Sequence, residues 1–259
     1  MASKHHSLNL KQIQLLKLLY KFRFVSSDFL ARYKGVSRSS MNYSLDILRD
    51  QQLIGRRFDN TRKITGKGAM YYLTAAGVKE LKQHVPLNDA VVHALYKNGV
   101  VTEDFMQTYL TVADVCLALK NTYPDTFTML TAAEAAPFNH LPKPRPNLYI
   151  SRKELSNSTP NDYFLDVITD TRRFAIKNKL NFYSEYYESG TWGKSAFPAL
   201  LLVCPDAASE RKALAQIEPL LVDFDIYVTT IKALLHSDTE NLTVWSATID
   251  SEEPINLTS

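Results

Sequence analysis

The sequence predicts a chain in two parts, of mixed α+β and α/β class: a basic, helix-rich segment over residues 1–83 and an acidic body beyond it. Three observations predict it. Charge divides along the chain: residues 1–83 hold 16 Lys/Arg against 5 Asp/Glu, a net of +11, and residues 84–259 hold 14 against 22, a net of −8. The basic segment is patterned helix, helix, helix, strand, basic loop, strand. The body alternates strand-like apolar runs with amphipathic helices, the mark of an α/β layer structure. With 45% hydrophobic and 22% charged residues over 259 positions, the chain is neither a collagen, a disordered tail nor a membrane bundle. The longest apolar stretch, residues 197–204 (FPALLLVC), is far short of the ~20 residues a spanning helix needs.

The elements of the basic segment follow from local chemistry. Asn9 is placed to cap LKQIQLLKLLYKF, whose apolar residues Ile13, Leu15, Leu16, Leu18, Leu19 and Phe22 give a one-sided helix. Ser26 or Ser27 caps a short helix, DFLARYK, that stops at Gly35, a residue suited to the left-handed turn after a helix. Val36 and Ser37 open a third helix, RSSMNYSLDILRDQQ, with Met41, Leu45 and Leu48 facing inward. Arg38, Ser39, Asn42, Tyr43 and Arg49 lie on its other side or flanks. Residues 53–58 (LIGRRF) and 70–74 (MYYLT) read as strands around the turn-forming DNTRKITGKG. Residues 75–83 read as a fourth helix with Leu81 on its inner side.

Two helices joined by a short Gly-containing turn make a helix-turn-helix, whose second helix enters the major groove. Through VSRSSMNYSLDILRDQQLIGRR and YLTAAGVKEL the segment resembles the winged-helix DNA-binding superfamily over about residues 9–83. Short side chains at Ser37, Ser39 and Ser40 let a helix N-terminus approach phosphate closely. Arg38, Asn42, Tyr43 and Arg49 are long or polar enough to reach base edges or the backbone rim. Arg56, Arg57 and the wing cations Arg62, Lys63 and Lys67 complete the predicted surface for double-stranded DNA.

In the body, residues 84–125 read as a helical connector, with VADVCLAL at residues 112–119. Strands are expected at residues 126–130, 148–150, 163–168, 197–204 and 226–231, the fourth buried and central. Helices are expected at about residues 173–187 and 207–221. Cys116 and Cys204 sit in apolar segments and read as buried thiols, since two cysteines make no disulfide framework. The start MASKHHSLNLKQ lacks a secretory pattern, so a cytoplasmic protein is expected. The tail over residues 250–259 is polar and expected to be loose.

The winged-helix pattern followed by YLTVADVCLAL, RPNLYI, YFLDVITDT, KLNFYSEYYESGTWG and FPALLLVCPDAASERKAL resembles the replication-relaxation family of bacterial plasmids and integrative mobile elements. The resemblance runs over about residues 10–247. It implies an N-terminal winged helix-turn-helix followed by a restriction-endonuclease-like α/β core over residues 126–259. It also implies a role in plasmid replication or relaxation of a transfer origin. Such nucleases hold a metal with Pro-Asp, then an acidic-x-Lys on the next strand. Here Pro146 precedes Asn147, Asp166 is the acidic member, and Ile168 takes the lysine position. Asn147 keeps a carbonyl oxygen, and Lys177 or Lys179 could substitute from the following helix. With a carboxylate and the lysine missing, a metal has too few anionic ligands, and the core is expected to be degenerate.

No phosphate-binding glycine motif is present, and the six histidines, among them the His5-His6 pair, are too dispersed for a metal motif. Tyr183, Tyr186 and Tyr187 stand at helical spacing and are expected to cover the sheet. The expectation is thus a non-catalytic DNA-binding accessory protein without cofactor or metal. A relaxase or replication initiator is the partner implied by the resemblance, and a homodimer is left open. A winged-helix transcriptional regulator and an active metal-dependent nuclease are the alternatives.

Overall fold

The computed structural model describes residues 8–58, 60–64, 66–152, 162–193, 196–236, 244–247 and 256–257. It is of mixed α+β class and divides into two compact units, residues 1–113 and 114–259. His5 and His6 fall outside the described residues.

In the first unit, α1 (Leu10–Phe22) opens on a capping box. Asn9 Oδ1 accepts the Gln12 N–H and Gln12 Oε1 accepts the Asn9 N–H, both at 2.9 Å, so two end donors are satisfied reciprocally. Strand β1 (Val25–Ser26) runs into α2 (Ser27–Lys34), where Ser26 Oγ accepts the Phe29 N–H at 3.0 Å. Gly35 ends α2 with φ 65° and returns its N–H to the carbonyls of Ala31 and Arg32. Ser37 then caps α3 (Arg38–Asp50), which buries Met41, Leu45 and Leu48. Strand β2 (Ile54–Arg57), a one-turn helix α4 (Asn60–Ile64) and strand β3 (Met70–Leu73) follow. β3 pairs antiparallel with both β1 and β2, giving the order β1-β3-β2. Helix α5 (Ala75–Lys82) is capped by Thr74. It lies so close to the preceding chain that a Cβ on Gly77 would sit 1.9 Å from the Leu53 carbonyl oxygen.

The unit extends beyond residue 83, the end expected from charge. Helix α6 (Asp89–Leu95), a 3-10 turn (Asn98–Val100) and the first half of α7 (Glu103–Thr122) belong to it. Arg23 explains why: its guanidinium donates to Asn98 Oδ1 and the Ala94 carbonyl, each at 2.8 Å, and to the Tyr109 hydroxyl at 3.3 Å. It also lies over the Phe105 ring, 4.7 Å from its centroid. Arg23→Ala strands the buried Asn98 and removes charge-assisted bonds worth ~1.5–3 kcal/mol each. The melting temperature should therefore fall by several degrees, and an unchanged thermal unfolding curve would refute this role.

The second unit is built on a five-stranded sheet of order β4-β5-β6-β7-β8. Its strands are β4 (Phe127–Thr131), β5 (Leu148–Arg152), β6 (Asp162–Val167), β7 (Ala199–Cys204) and β8 (Ile226–Thr230). β4, β5 and β6 pair antiparallel. β6, β7 and β8 run parallel, connected by α8 (Arg173–Glu188) and α9 (Ala207–Ile217). A short α10 (Ile231–His236) follows. From Leu200 to Cys204 every residue of β7 is fully buried, as a covered parallel strand requires. The proline-rich connector before β5 is held by Arg145, which donates to the carbonyls of Leu141, Pro142, Ala136 and Phe138. Cys116 and Cys204 are buried and form no disulfide, and burial pushes the Cys204 thiol up to about 12.

Each expected body strand is present within a residue or two. Three elements go beyond the expectation: β1, α10 and the helix α4 inside the basic turn, whereas α6 and α7 fall within the stretch expected to be helical. Most of the tail expected to be loose lies outside the described residues; its two described members are anchored, which corrects the expectation for those two alone. Tyr123 Oη donates to Asn256 Oδ1 and Tyr163 Oη to the Leu257 carbonyl, both at 3.0 Å, and Leu257 is buried.

Candidate nucleic-acid interface

The polar face of α3 and the β2–β3 connection together line one cleft. From α3 come Arg38, Asn42, Asp46 and Arg49; from β2 and the residues after it come Arg56, Phe58, Lys63 and Lys67. The convergence has a local cause. Met41, Leu45 and Leu48 point α3 inward at i, i+4 and i+7, so the residues one place on from or between them face outward. The antiparallel register Arg56↔Tyr71 and Arg57↔Met70 fixes where the basic connection leaves the sheet. Among its described lining residues are five cations and one carboxylate, Asp46. A cleft lined by one sign of charge concentrates ions of the other.

The predicted residues are not equivalent. Ser37 Oγ is used as a cap, accepting the Ser40 N–H at 3.2 Å. Arg38, Ser39 and Ser40 are exposed on the first turn of α3, Tyr43 is 71% exposed, and Asn42 is half-buried in the cleft. Arg49 lies in the cleft but is paired with Asp46 at 3.0 Å and Asp50 at 3.7 Å. Arg56 stands over the Phe58 ring at 5.2 Å. Lys63 and Lys67 are exposed.

Arg57 and Arg62 depart from the expectation. Arg57 Nη1 donates to the Val101 carbonyl at 2.6 Å. Arg62 is 3% exposed, ion-paired with Glu103, and donates to the Gly68 carbonyl at 2.9 Å. Helix α4 turns it inward, so it knits the connection to the start of α7 rather than facing solvent. Asp46, Phe58 and Tyr71 line the cleft without having been foreseen. Asp46 was legible, since it follows Asn42 by one helical turn.

In the second unit Asn147, Asp166 and Lys179 meet, and Lys177 does not: it is exposed on α8. Asp166 is 4% exposed. Its Oδ1 accepts the Asn147 N–H at 2.9 Å, and its Oδ2 accepts Lys179 Nζ at 2.7 Å and the Tyr183 hydroxyl at 2.9 Å. Lys179 and Tyr183 stand four apart on α8, hence on one face. The Asn147 side-chain oxygen, expected to remain open to a metal, accepts the Val167 N–H at 2.8 Å. Tyr183 covers the sheet as expected, stacking on Phe164 with centroids 5.7 Å apart, and also serves the carboxylate. Burial, reinforced by the Asp166 charge, holds its hydroxyl well above the usual phenol range. The Lys179 ammonium thus occupies one of the two carboxylate oxygens of Asp166, and the Asn147 N–H the other. Among the described residues no three His, Cys, Asp or Glu side chains converge as a metal site requires.

The family model for replication-relaxation matches residues 16–200. The chain belongs to the replication-relaxation family. No curated protein matches it, and no solved structure does. In this replication-relaxation protein the matched span takes in the whole cleft and the Asn147–Asp166–Lys179 cluster, ending at the start of β7. Membership points to a role in replication or relaxation. No helix among the described residues is long and apolar enough to cross a membrane.

Proposed function

We propose that this replication-relaxation protein is a non-catalytic, double-strand DNA-binding accessory factor. It places or deforms origin DNA for a separate relaxase or replication initiator. In this reading the first unit is a winged helix-turn-helix: α3 is the recognition helix, β2 and β3 flank the wing, and α4 is a short insertion within it. The observation that carries the reading is the single cleft in which Arg38, Asn42 and Arg49 of α3 face Arg56, Lys63 and Lys67. A major groove about 12 Å wide admits one helix, and the flanking cations suit the phosphates beside it. Asn42, with an amide able to pair with adenine, is the candidate base reader.

The second unit is read as a degenerate restriction-endonuclease-like core. Supporting this, Asp166 already accepts three donors and Asn147 has spent its side-chain oxygen on the backbone. Mg²⁺ surrenders its waters reluctantly and needs open oxygen ligands, and displacing Lys179 would leave an ammonium without its partner. The test is incubation of the full chain with supercoiled DNA and Mg²⁺ or Mn²⁺. The expected result is retarded but intact plasmid. Metal-dependent nicking that disappears in Asp166→Ala would overturn the non-catalytic assignment.

A further inference from the structure

The sequence YYESGTWG, which ends α8 and begins the turn after it, is not used by the DNA cleft or by the Asp166 cluster. It forms one wall of a second cleft of about 930 Å³. Tyr187 and Trp192 stand on that wall, and Phe197 and Phe224 complete an aromatic lining. Ring centroids lie 5.1 Å apart for Tyr187–Phe197, 5.5 Å for Tyr187–Phe224 and 4.8 Å for Phe197–Phe224. All four rings are half-buried, so each keeps part of its surface open. Between and beside them Glu188, Asp223 and Asp225 are exposed carboxylates. Leu221, just before this acidic turn, is fully exposed.

We propose that this cleft docks an arginine-bearing segment of a partner protein. A guanidinium stacks on aromatic faces and pairs with carboxylates through a planar fork, and this lining offers both kinds of contact together. The same carboxylates repel phosphate, so nucleic acid does not compete for the cleft. The molecule thereby carries two recognition surfaces of opposite sign. The inference rests on the reading of the protein as an accessory that brings another protein to DNA, and it supplies the surface used for the second task.

The test is titration of the full chain with a nine-residue arginine-glycine peptide, followed by calorimetry and by the fluorescence of Trp192. The other tryptophan, Trp245, is fully buried, so the change reports on the cleft. The expected result is saturable binding that weakens at high salt, with a lysine-glycine peptide at least threefold weaker. Glu188→Gln with Asp223→Asn should weaken the arginine peptide about tenfold. Asp170→Asn, beyond the other end of α8 and about 24 Å away along the helix axis, should leave it unchanged. Both substituted carboxylates are exposed, so the fold is not at stake. No binding, equal binding of a glutamate-glycine peptide, or equal loss in Asp170→Asn would overturn the proposal. Self-association abolished by the double substitution, without peptide binding, would assign the cleft to a second copy and equally overturn it. Duplex affinity measured on the same samples reads the DNA-binding assignment separately.

Discussion

Reversing two charges on the β2–β3 connection, Lys63→Glu with Lys67→Glu, should lower the affinity of the full chain for duplex DNA by about 100-fold at roughly 0.1 M salt. Each lysine that neutralises a phosphate releases a counterion, and reversal adds repulsion to that loss. The effect should be the same for every sequence, because phosphate contacts position the protein without reading bases. Asn42→Ala should behave differently, altering the preference among sequences by ~1–3 kcal/mol. Arg62 supplies the internal control. Its guanidinium is buried against Glu103 and the Gly68 carbonyl, so Arg62→Gln should lower the melting temperature and leave the folded protein's affinity within about threefold. If Arg62→Gln weakened binding as much as the lysine reversals, with no change in stability, the placement of Arg62 would be wrong.

The second large effect is on stability. Asp166→Ala should cost ~3–5 kcal/mol, the range for breaking a buried pair by removing one partner. Three donors lose their acceptor at once: the Asn147 N–H, Lys179 Nζ and the almost completely buried Tyr183 hydroxyl. Asp166→Asn keeps the shape and should cost less. Duplex affinity of the folded protein should not change in either variant. Denaturant unfolding of the two variants checks this, and a loss below about 1 kcal/mol for Asp166→Ala would mean that the cluster does not hold this part of the sheet.

What the sequence disclosed is what local chemistry determines. Asn9, Ser26 and Ser37 are caps because their side chains reach N–H groups three residues on, a distance legible in the string itself. The strands of the body stand out because short, largely apolar runs fall between polar turns. The features that depart from the sequence pattern depend on partners far along the chain. Arg62 resembled its neighbour Lys63 until Glu103, 41 residues later, was brought beside it. The first unit ran past residue 83 because Arg23 bonds to Ala94, Asn98 and Tyr109, contacts that a charge count does not register. The choice between Lys179 and Lys177 lay within reach. Ile176, Leu180 and Tyr183 mark the inner face of α8, and Lys179, one turn before Tyr183, shares it. The acidic aromatic cleft was hidden because residues 187–193 and 196–197 meet Val222 to Asp225 only after β7 and α9 have intervened.

In the proposed function, the cleft between α3 and the β2–β3 connection grips the backbone of duplex DNA. The salt dependence of full-chain binding tests it most directly. Five lining cations, at about 0.9 counterion released per phosphate neutralised, predict a slope of log affinity against log salt of roughly −4 to −5. A slope near zero, or no duplex binding at low salt, would show that the cleft is not a DNA-binding surface.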